Sequence, residues 1–590
     1  MFLSSKKKSS LHSVDSITIR GAIVLGILAF AAPWTASPAD DPHAEAMLNV
    51  MQQELARAQS ALAKSQPAPY FIGYTVYDQQ VLAISAGQGS VMSSVSSQRR
   101  VADVTMRVGT PALDNTHGQG RQSGIMTQTL PLGDDKDALT RGLWLLTNQE
   151  YRQAVPAFLN IKTATAVQSE EEDKSPDFST EAPHKDIETP GPPVALKQKE
   201  WEDRARLYSA AFTKYPFVYN SIVSLDFEQN TQYMITSDGT RLVEPGHLAR
   251  LIIEAETRAD DGMELFRVET FQAATPDELP AQSVIEAKAE KMAADLKALR
   301  AAPVNDPFDG PAMLSGRAAA VFFHEVLGHR LEGHRQRGEE EGQTFTKKVN
   351  EQVLPKFLTV VDDPTMHELN GVKLAGYYAY DDEGVPAQRV DVIDDGVLKN
   401  FLMSRIPVKN FSQSNGHGRR QPGAMATGRQ GNLIVISKNS VADSDLRQKF
   451  IDEIKRQNKP YGLYFEDVEG GFTLTTRQAP QAFQVLPVIV WRVFPDGKPD
   501  QLVRGVDIVG TPLAALERIM LTGTKTEVFN GVCGAESGNV PVSAAAPAML
   551  FSEMEVQKSA HSHDRPPILP PPGSDSAASP AAKSGAGGSR

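Results

Sequence analysis

The chain has one cysteine, Cys533. A disulfide within the chain is therefore excluded, and packing and hydrogen bonds must hold the fold. Long apolar runs are also missing. No stretch offers the ~20 apolar residues of an ordinary membrane span, and the nearest to one is the short N-terminal run "GAIVLGILAFAAPW". Nor is there an excess of basic charge: 60 Lys and Arg against 72 Asp and Glu give a formal charge of −12. That balance argues against a nucleic-acid surface spread over the protein. Internal repeats are absent. The lone thiol is either a small buried apolar group or one protected by a ligand such as a metal.

At 590 residues the chain is too long for one core, so two or more domains are expected. The start reads as an export signal over 1–39. Lys6, Lys7, Lys8 and Arg20 supply basic charge, the apolar run follows, and "TASPADD" offers small residues near Ala39 for cleavage. A periplasmic or secreted location is expected, with no stable membrane span unless the signal stays uncleaved.

Residues 40–300 read as an N-terminal α+β domain. "HAEAMLNVMQQELARAQSALA" has helical apolar spacing, whereas "PYFIGYTVYD" and "RRVADVTMRVG" alternate like strands. Asp238–Gly239 separates two alternating runs as a hairpin turn would. "DELPAQSVIEAKAEKMAADLKALRAA" is a further helix. Between these lies a poorly ordered insertion at about 112–200, acidic and proline-rich in its second half. Residues 301–560 read as a mainly β, barrel-like domain, interrupted by the helix "DSDLRQKFIDEIKRQ". A low-complexity tail over 561–590 is expected to be disordered. The fold class is thus α+β in two domains, an N-terminal mixed domain with antiparallel strands and a barrel-like C-terminal one.

Chemistry concentrates in "FFHEVLGHRLEGHR" (322–335), with three histidines and two glutamates between His324 and His334. His324–Glu325 resembles the start of H-E-x-x-H, but His329 arrives one residue late. Residues four apart on an α-helix lie about 40° apart around the axis, and residues five apart about 140°. The two imidazoles meet only if the helix widens into a π-type turn or ends between them; Gly328 eases either distortion. If they do meet, they suit zinc and require a third ligand plus an open position, with Glu325 placed as general base. Glu332, His334 and a distant residue are the candidates for that ligand, Cys533 being the distant option. Two other clusters stand out. "YDDEG" (380–384) reads more simply as a solvated turn than as a cation site. "GHGRR" (416–420) is either a polar loop or a neutraliser of a peptide carboxylate.

The order of "HEVLGHRLEG" (324–333), "LTVVDDPT" (358–365), "YDDEGVPAQR" (380–389), "GVLKNFLMSR" (396–405) and "VCGAESGNVPVS" (532–543) resembles the TldD/PmbA metallopeptidases, on the side that keeps H-E-x-x-x-H. The resemblance implies Zn²⁺ held by His324, His329 and Cys533, with Glu325 as catalytic acid/base. It also implies hydrolysis of unfolded or short peptides inside a dimer cavity, either in a homodimer or with a TldE/PmbA-like paralogue. His334 and Glu332 become supporting residues. The sequence departs from the family in its export signal, in the 112–200 insertion, and in Ala535–Glu536, where Cys-Gly is usually followed by lysine. Two rival readings are a zinc amidohydrolase acting on cell-wall or modified peptides and a non-catalytic partner subunit.

Overall fold

The computed structural model describes residues 42–165, 173–191, 193–337, 342–477 and 482–559. The expected export signal and C-terminal tail lie outside these residues.

The N-terminal elements build one eight-stranded sheet. Its long strands are β1 (Pro69–Gly87), β2 (Ser90–Thr110), β3 (Ile125–Leu130), β4 (Asn220–Thr236), β5 (Arg241–Arg258) and β6 (Glu264–Ala273). β2, β1, β4 and β5 lie side by side, β3 pairs with β2, and β6 pairs with β5. These strands run antiparallel, as the alternating runs predict. The β4–β5 hairpin turns at Asp238–Gly239, where Gly239 has φ 107°, a conformation that glycine adopts without penalty. Helices α1 (Pro42–Leu62), α2 (Lys136–Thr165), α3 (Gln198–Ala210) and α4 (Gln282–Ala301) bury apolar stripes against this sheet.

The insertion departs from expectation. Within 112–200, β3 joins the sheet edge, Lys185–Ile187 adds parallel to β5, and α2 packs Leu139, Leu143 and Leu146 into the core. The acidic, proline-rich part is held by polar contacts. Asp177 accepts from the Asp114 amide at 2.9 Å and from Arg337 at 2.9 Å. Phe178 lies beneath the guanidinium groups of Arg107 and Arg405. Such anchors leave no hydrophobic period in the sequence, which is why this segment reads as poorly ordered.

One residue on the α2 stripe is out of character. Glu150 sits in line with Leu143, Leu146 and Ala154, fully buried, and neither carboxylate oxygen has a hydrogen-bond partner. Burial pushes its pKa up to about 9. The folded state therefore holds a proton that the unfolded chain releases near its ordinary value of about 4.3. Stability from this group is complete below that value and is lost as pH rises toward 9. Glu150→Gln is expected to remove this dependence. Glu150→Met should stabilise the protein at pH 8 by about 3 kcal/mol. Urea unfolding at pH 5 and pH 8 checks both.

The C-terminal elements form a twelve-stranded sheet whose centre closes on itself. β7 (Phe308–Leu314), β8 (Gly462–Thr473), β9 (Phe483–Val493), β10 (Val506–Gly510) and β12 (Gly538–Lys558) pair in a ring, β12 returning to β7. This is the expected barrel. β11 (Ile519–Ala535) forms a long hairpin with β12. The two sheets are tied by charge: Arg267 on β6 donates to Asp467 on β8 at 2.8 Å, and Arg405 donates to Asp238 at 2.9 Å.

Candidate metal centre

The motif begins on α5 (Gly316–Val326). Ser315 caps its start, the Oγ accepting from the Ala318 amide at 3.1 Å, which satisfies one of the otherwise unpaired helix donors. The run "GRAAAVFF" is apolar nearly all round, the pattern of a helix enclosed on every side. Phe322 meets Phe483 and Phe551 edge-to-face at 5.5 and 5.2 Å between centroids. Burial on every side fixes the orientation of His324 and Glu325.

α5 stops at Val326. Arg330 donates one guanidinium nitrogen to the carbonyls of Glu325 and Val326 at 3.0 and 3.2 Å, closing the helix end as cationic side chains do. His329 rides on the following 3₁₀ turn, Gly328–Leu331. The two imidazoles consequently face each other, their centroids 4.9 Å apart and their planes at 80°. Of the two ways to reconcile the late histidine, the helix ends; it does not widen. Gly328 serves a close approach, since a Cβ there would lie 2.0 Å from Gln430 Oε1.

Cys533 arrives from β11, opposite Val540 in the β11–β12 hairpin. Its Sγ lies 3.3 Å from His329 Nε2. One ligand atom from each of His324, His329 and Cys533 falls within 4.8 Å of the others, and all three residues are buried. The set offers two imidazole nitrogens and one sulfur, a donor combination suited to zinc with a fourth position open. The electrostatics agree with that use. Burial pushes the Cys533 thiol up, but the His329 and His324 imidazoles outweigh it and hold the thiol well below its ordinary value. Burial likewise opposes protonation of His329, yet Cys533 and Glu332 raise it well above its ordinary value. The thiolate is thus stabilised by positive charge at the place a cation would take.

Glu325 faces the same point, its Oε2 3.9 Å from His329 Nε2, buried and without a hydrogen-bond partner. Burial raises its pKa against the pull of His324 and His329. β8 presses against it: a Cβ on Gly471 would sit 2.7 Å from Glu325 Cγ. Behind His329 runs a chain of charge that sequence spacing does not reveal. His329 Nδ1 lies 3.1 Å from Glu332 Oε1, and Arg335 Nε donates to Glu332 Oε2 at 2.7 Å. Arg335 also donates to Glu536 Oε2 at 2.8 Å, and Glu536 pairs with His334. Glu332 is pushed down to about 2: burial opposes this, but His329 and Arg335 prevail. Glu332 therefore acts on the orientation of His329, and Glu536, paired with His334 and Arg335, locks the Cys533 hairpin to the histidine turn.

A cavity of about 760 Å³ opens in front of these groups. Beyond Phe465 on β8 and Gly523 on β11, one edge of each strand has no paired strand among the described residues. Phe472 and Val532 on these edges are 50% and 42% exposed.

Residues 309–558 match the family model described as the PmbA/TldA metallopeptidase C-terminal domain. A "Metalloprotease TldD homolog" of Haemophilus influenzae is 29% identical over 258 residues, 42% of this chain and 48% of that protein. The C-terminal part of the chain, residues 309–558, is a TldD/PmbA-family domain. A "Metalloprotease" of Archaeoglobus fulgidus is 30% identical over 239 residues, 40% of this chain and 51% of that one. The chain thus spans about half the length of the curated relatives it matches. The crystal structure of TldE from Thermococcus kodakarensis superposes with a TM-score of 0.57 at 14% identity, over 86% of this chain and 100% of that one. That likeness shows a shared fold over most of the chain.

Two clusters stay outside the site. "YDDEG" is not solvated: Asp381 accepts from the amides of Glu383, Val385 and Gly418 at 3.0, 2.9 and 2.8 Å. Glu383 accepts from the Arg405 amide at 2.6 Å. In "GHGRR", Arg419 donates to the carbonyls of Gln430 and Pro541 at 2.9 and 2.7 Å. Arg420 pairs with Asp103 in the N-terminal sheet. Neither arginine is available to a substrate.

Proposed function

We propose that the protein is an exported zinc-dependent metallopeptidase. It hydrolyses unfolded or short peptides in an enclosed cavity, as a dimer with a second copy or with a TldE-like paralogue. The observation that carries the reading is the meeting of His324, His329 and Cys533 beside an unpartnered, buried Glu325 at the cavity wall. His324, His329 and Cys533 would hold the zinc, which when bound supplies a Lewis acid that polarises a carbonyl and acidifies water. Glu325 Oε2 is the free acceptor that takes a proton from the attacking water and returns it to the leaving amine. The raised pKa of Glu325 suits that double use, because a carboxyl closer to neutral both accepts and donates. The unpaired edges of β8 and β11 suit an extended peptide held through its backbone, so side-chain selectivity should be weak. A folded protein does not fit a cavity of this size. Export rests on the basic and apolar N-terminal sequence.

The test is cleavage by the purified full chain of an unfolded polypeptide, the same polypeptide folded, and cell-wall fragments, before and after chelation. Cleavage of the unfolded chain alone, abolished by a chelator and restored by zinc, is expected. Cleavage restricted to wall fragments selects the amidohydrolase reading. Peptide cleavage indifferent to chelation overturns the metal role.

A further inference from the structure

The cavity that holds the metal ligands is also lined by a residue of the N-terminal sheet, Arg250 on β5. The other interior arginines are spent on partners: Arg107 on Asp114, Arg405 on Asp238, Arg420 on Asp103, and Arg429 on the Cys533 carbonyl. Arg250 is not. Its Nε is buried without a hydrogen-bond partner, as are those of Arg107, Arg405 and Arg429, but unlike Arg107, Arg405 and Arg420 it forms no ion pair with a carboxylate among the described residues. Asp226 stands across from it on β4 but does not pair. The guanidinium is half-buried, and burial outweighs the pull of Asp226, leaving its pKa below the usual arginine value.

A desolvated cation without an anion is costly unless something supplies one. β5 alternates here: Ala249, Leu251 and Ile253 face the core, while Arg250 is directed away from it toward the cavity. Thr270 on β6, opposite Ile252, and Glu469 on β8 line the same cavity, Glu469 preceding Gly470 and the Gly471 that abuts Glu325. The same cavity is thus lined by the acid/base carboxyl, an unpaired strand edge and an unpaired guanidinium. A guanidinium fork matches a carboxylate in a two-pronged geometry.

We propose that Arg250 binds a carboxylate of the peptide substrate, either the C-terminal carboxylate of a short product-like chain or an acidic side chain a few residues from the scissile bond. The proposal rests on the peptidase reading and adds a specificity-determining residue to it. Arg250 is a binding residue; nothing places it at the reacting atoms. It takes the role that "GHGRR" suggested in the sequence, since Arg419 and Arg420 are occupied.

The test uses the full chain carrying Glu325→Gln, so that binding is read without turnover. Three labelled peptides of one sequence are compared by fluorescence anisotropy: a free C-terminal acid, its neutral C-amide, and the C-amide with one Asp introduced. Arg250 is expected to favour at least one carboxylate peptide over the neutral amide by about tenfold or more, the worth of a charge-assisted pair. Arg250→Gln should bring that ratio close to one, and Arg250→Lys should recover part of it. Whichever carboxylate peptide carries the preference identifies the source. No preference in the parent, or a preference untouched by Arg250→Gln, overturns the proposal. If Arg250→Gln fails to fold, the parent's preference and the graded response of Arg250→Lys decide. Cleavage of the same peptides by the protein with Glu325 intact is measured alongside. If none is cleaved while the binding ratio behaves as expected, the peptidase reading fails and the Arg250 site stands.

Discussion

Glu325→Ala is expected to keep its metal and lose peptide cleavage by about 10²–10⁴-fold, the usual contribution of a positioned general acid–base group. The ligand atoms belong to His324, His329 and Cys533, so removing the carboxylate leaves the donor set intact. The deleted group is the buried oxygen that lacks a partner in the folded protein. No hydrogen bond is broken, and because burial outweighs the pull of His324 and His329 on this carboxylate, removing it should leave stability equal or higher. Glu325→Gln, which keeps the shape but cannot accept a proton from water, should fall as far as the alanine variant. Metal content, thermal unfolding and cleavage rate measured on the same preparations separate the outcomes. Full activity in either variant would remove Glu325 from the mechanism. Loss of metal together with activity would instead make it a ligand or a support for one.

The second large effect concerns Cys533. Cys533→Ala should weaken metal binding by more than the 10–100-fold that changes to outer hydrogen-bond partners typically cost, because it removes one of three donors outright. The thiolate is the only anionic donor of the set, and together with Glu332 it raises the pKa of His329 well above its ordinary value. Packing will change little, since Cys533 shares a small cluster with Val540 and Val542 at the hairpin. A competition titration against a chelator reads the affinity directly, and zinc should raise the unfolding temperature of the parent but not of the variant. Undiminished binding in Cys533→Ala would show that the third donor is another residue, and the buried Glu332 would be the first to test.

Much of the fold follows from periodicity. α1 and α4 bury apolar stripes at helical spacing, β1, β2, β4 and β5 bury alternate residues, and Asp238–Gly239 turns between two of them. Where segments are held by polar contacts, as around Asp177 and Phe178, the sequence carries no period to read, so that part of the insertion is not legible from it. The three acidic residues at 381–383 illustrate the same limit. Composition suggests solvated charge, yet Asp381 is buried because backbone amides from two loops converge on it.

The sequence by itself determined the chemistry available: two histidines and a glutamate at a spacing that lets the histidines meet only if the helix widens or ends, one cysteine with no disulfide partner, and an order of motifs shared with one family. Tertiary structure decided how that chemistry is assembled. The helix ends between the histidines because Arg330 caps it and Gln430 packs against Gly328. Cys533 reaches His329 because the β11–β12 hairpin folds back and Glu536 fastens it to Arg335. Arg250 faces the cavity because its strand belongs to the other sheet. Residues some two hundred positions apart have no spacing rule to link them, so only packing and ion pairing across the two sheets bring them to one cavity.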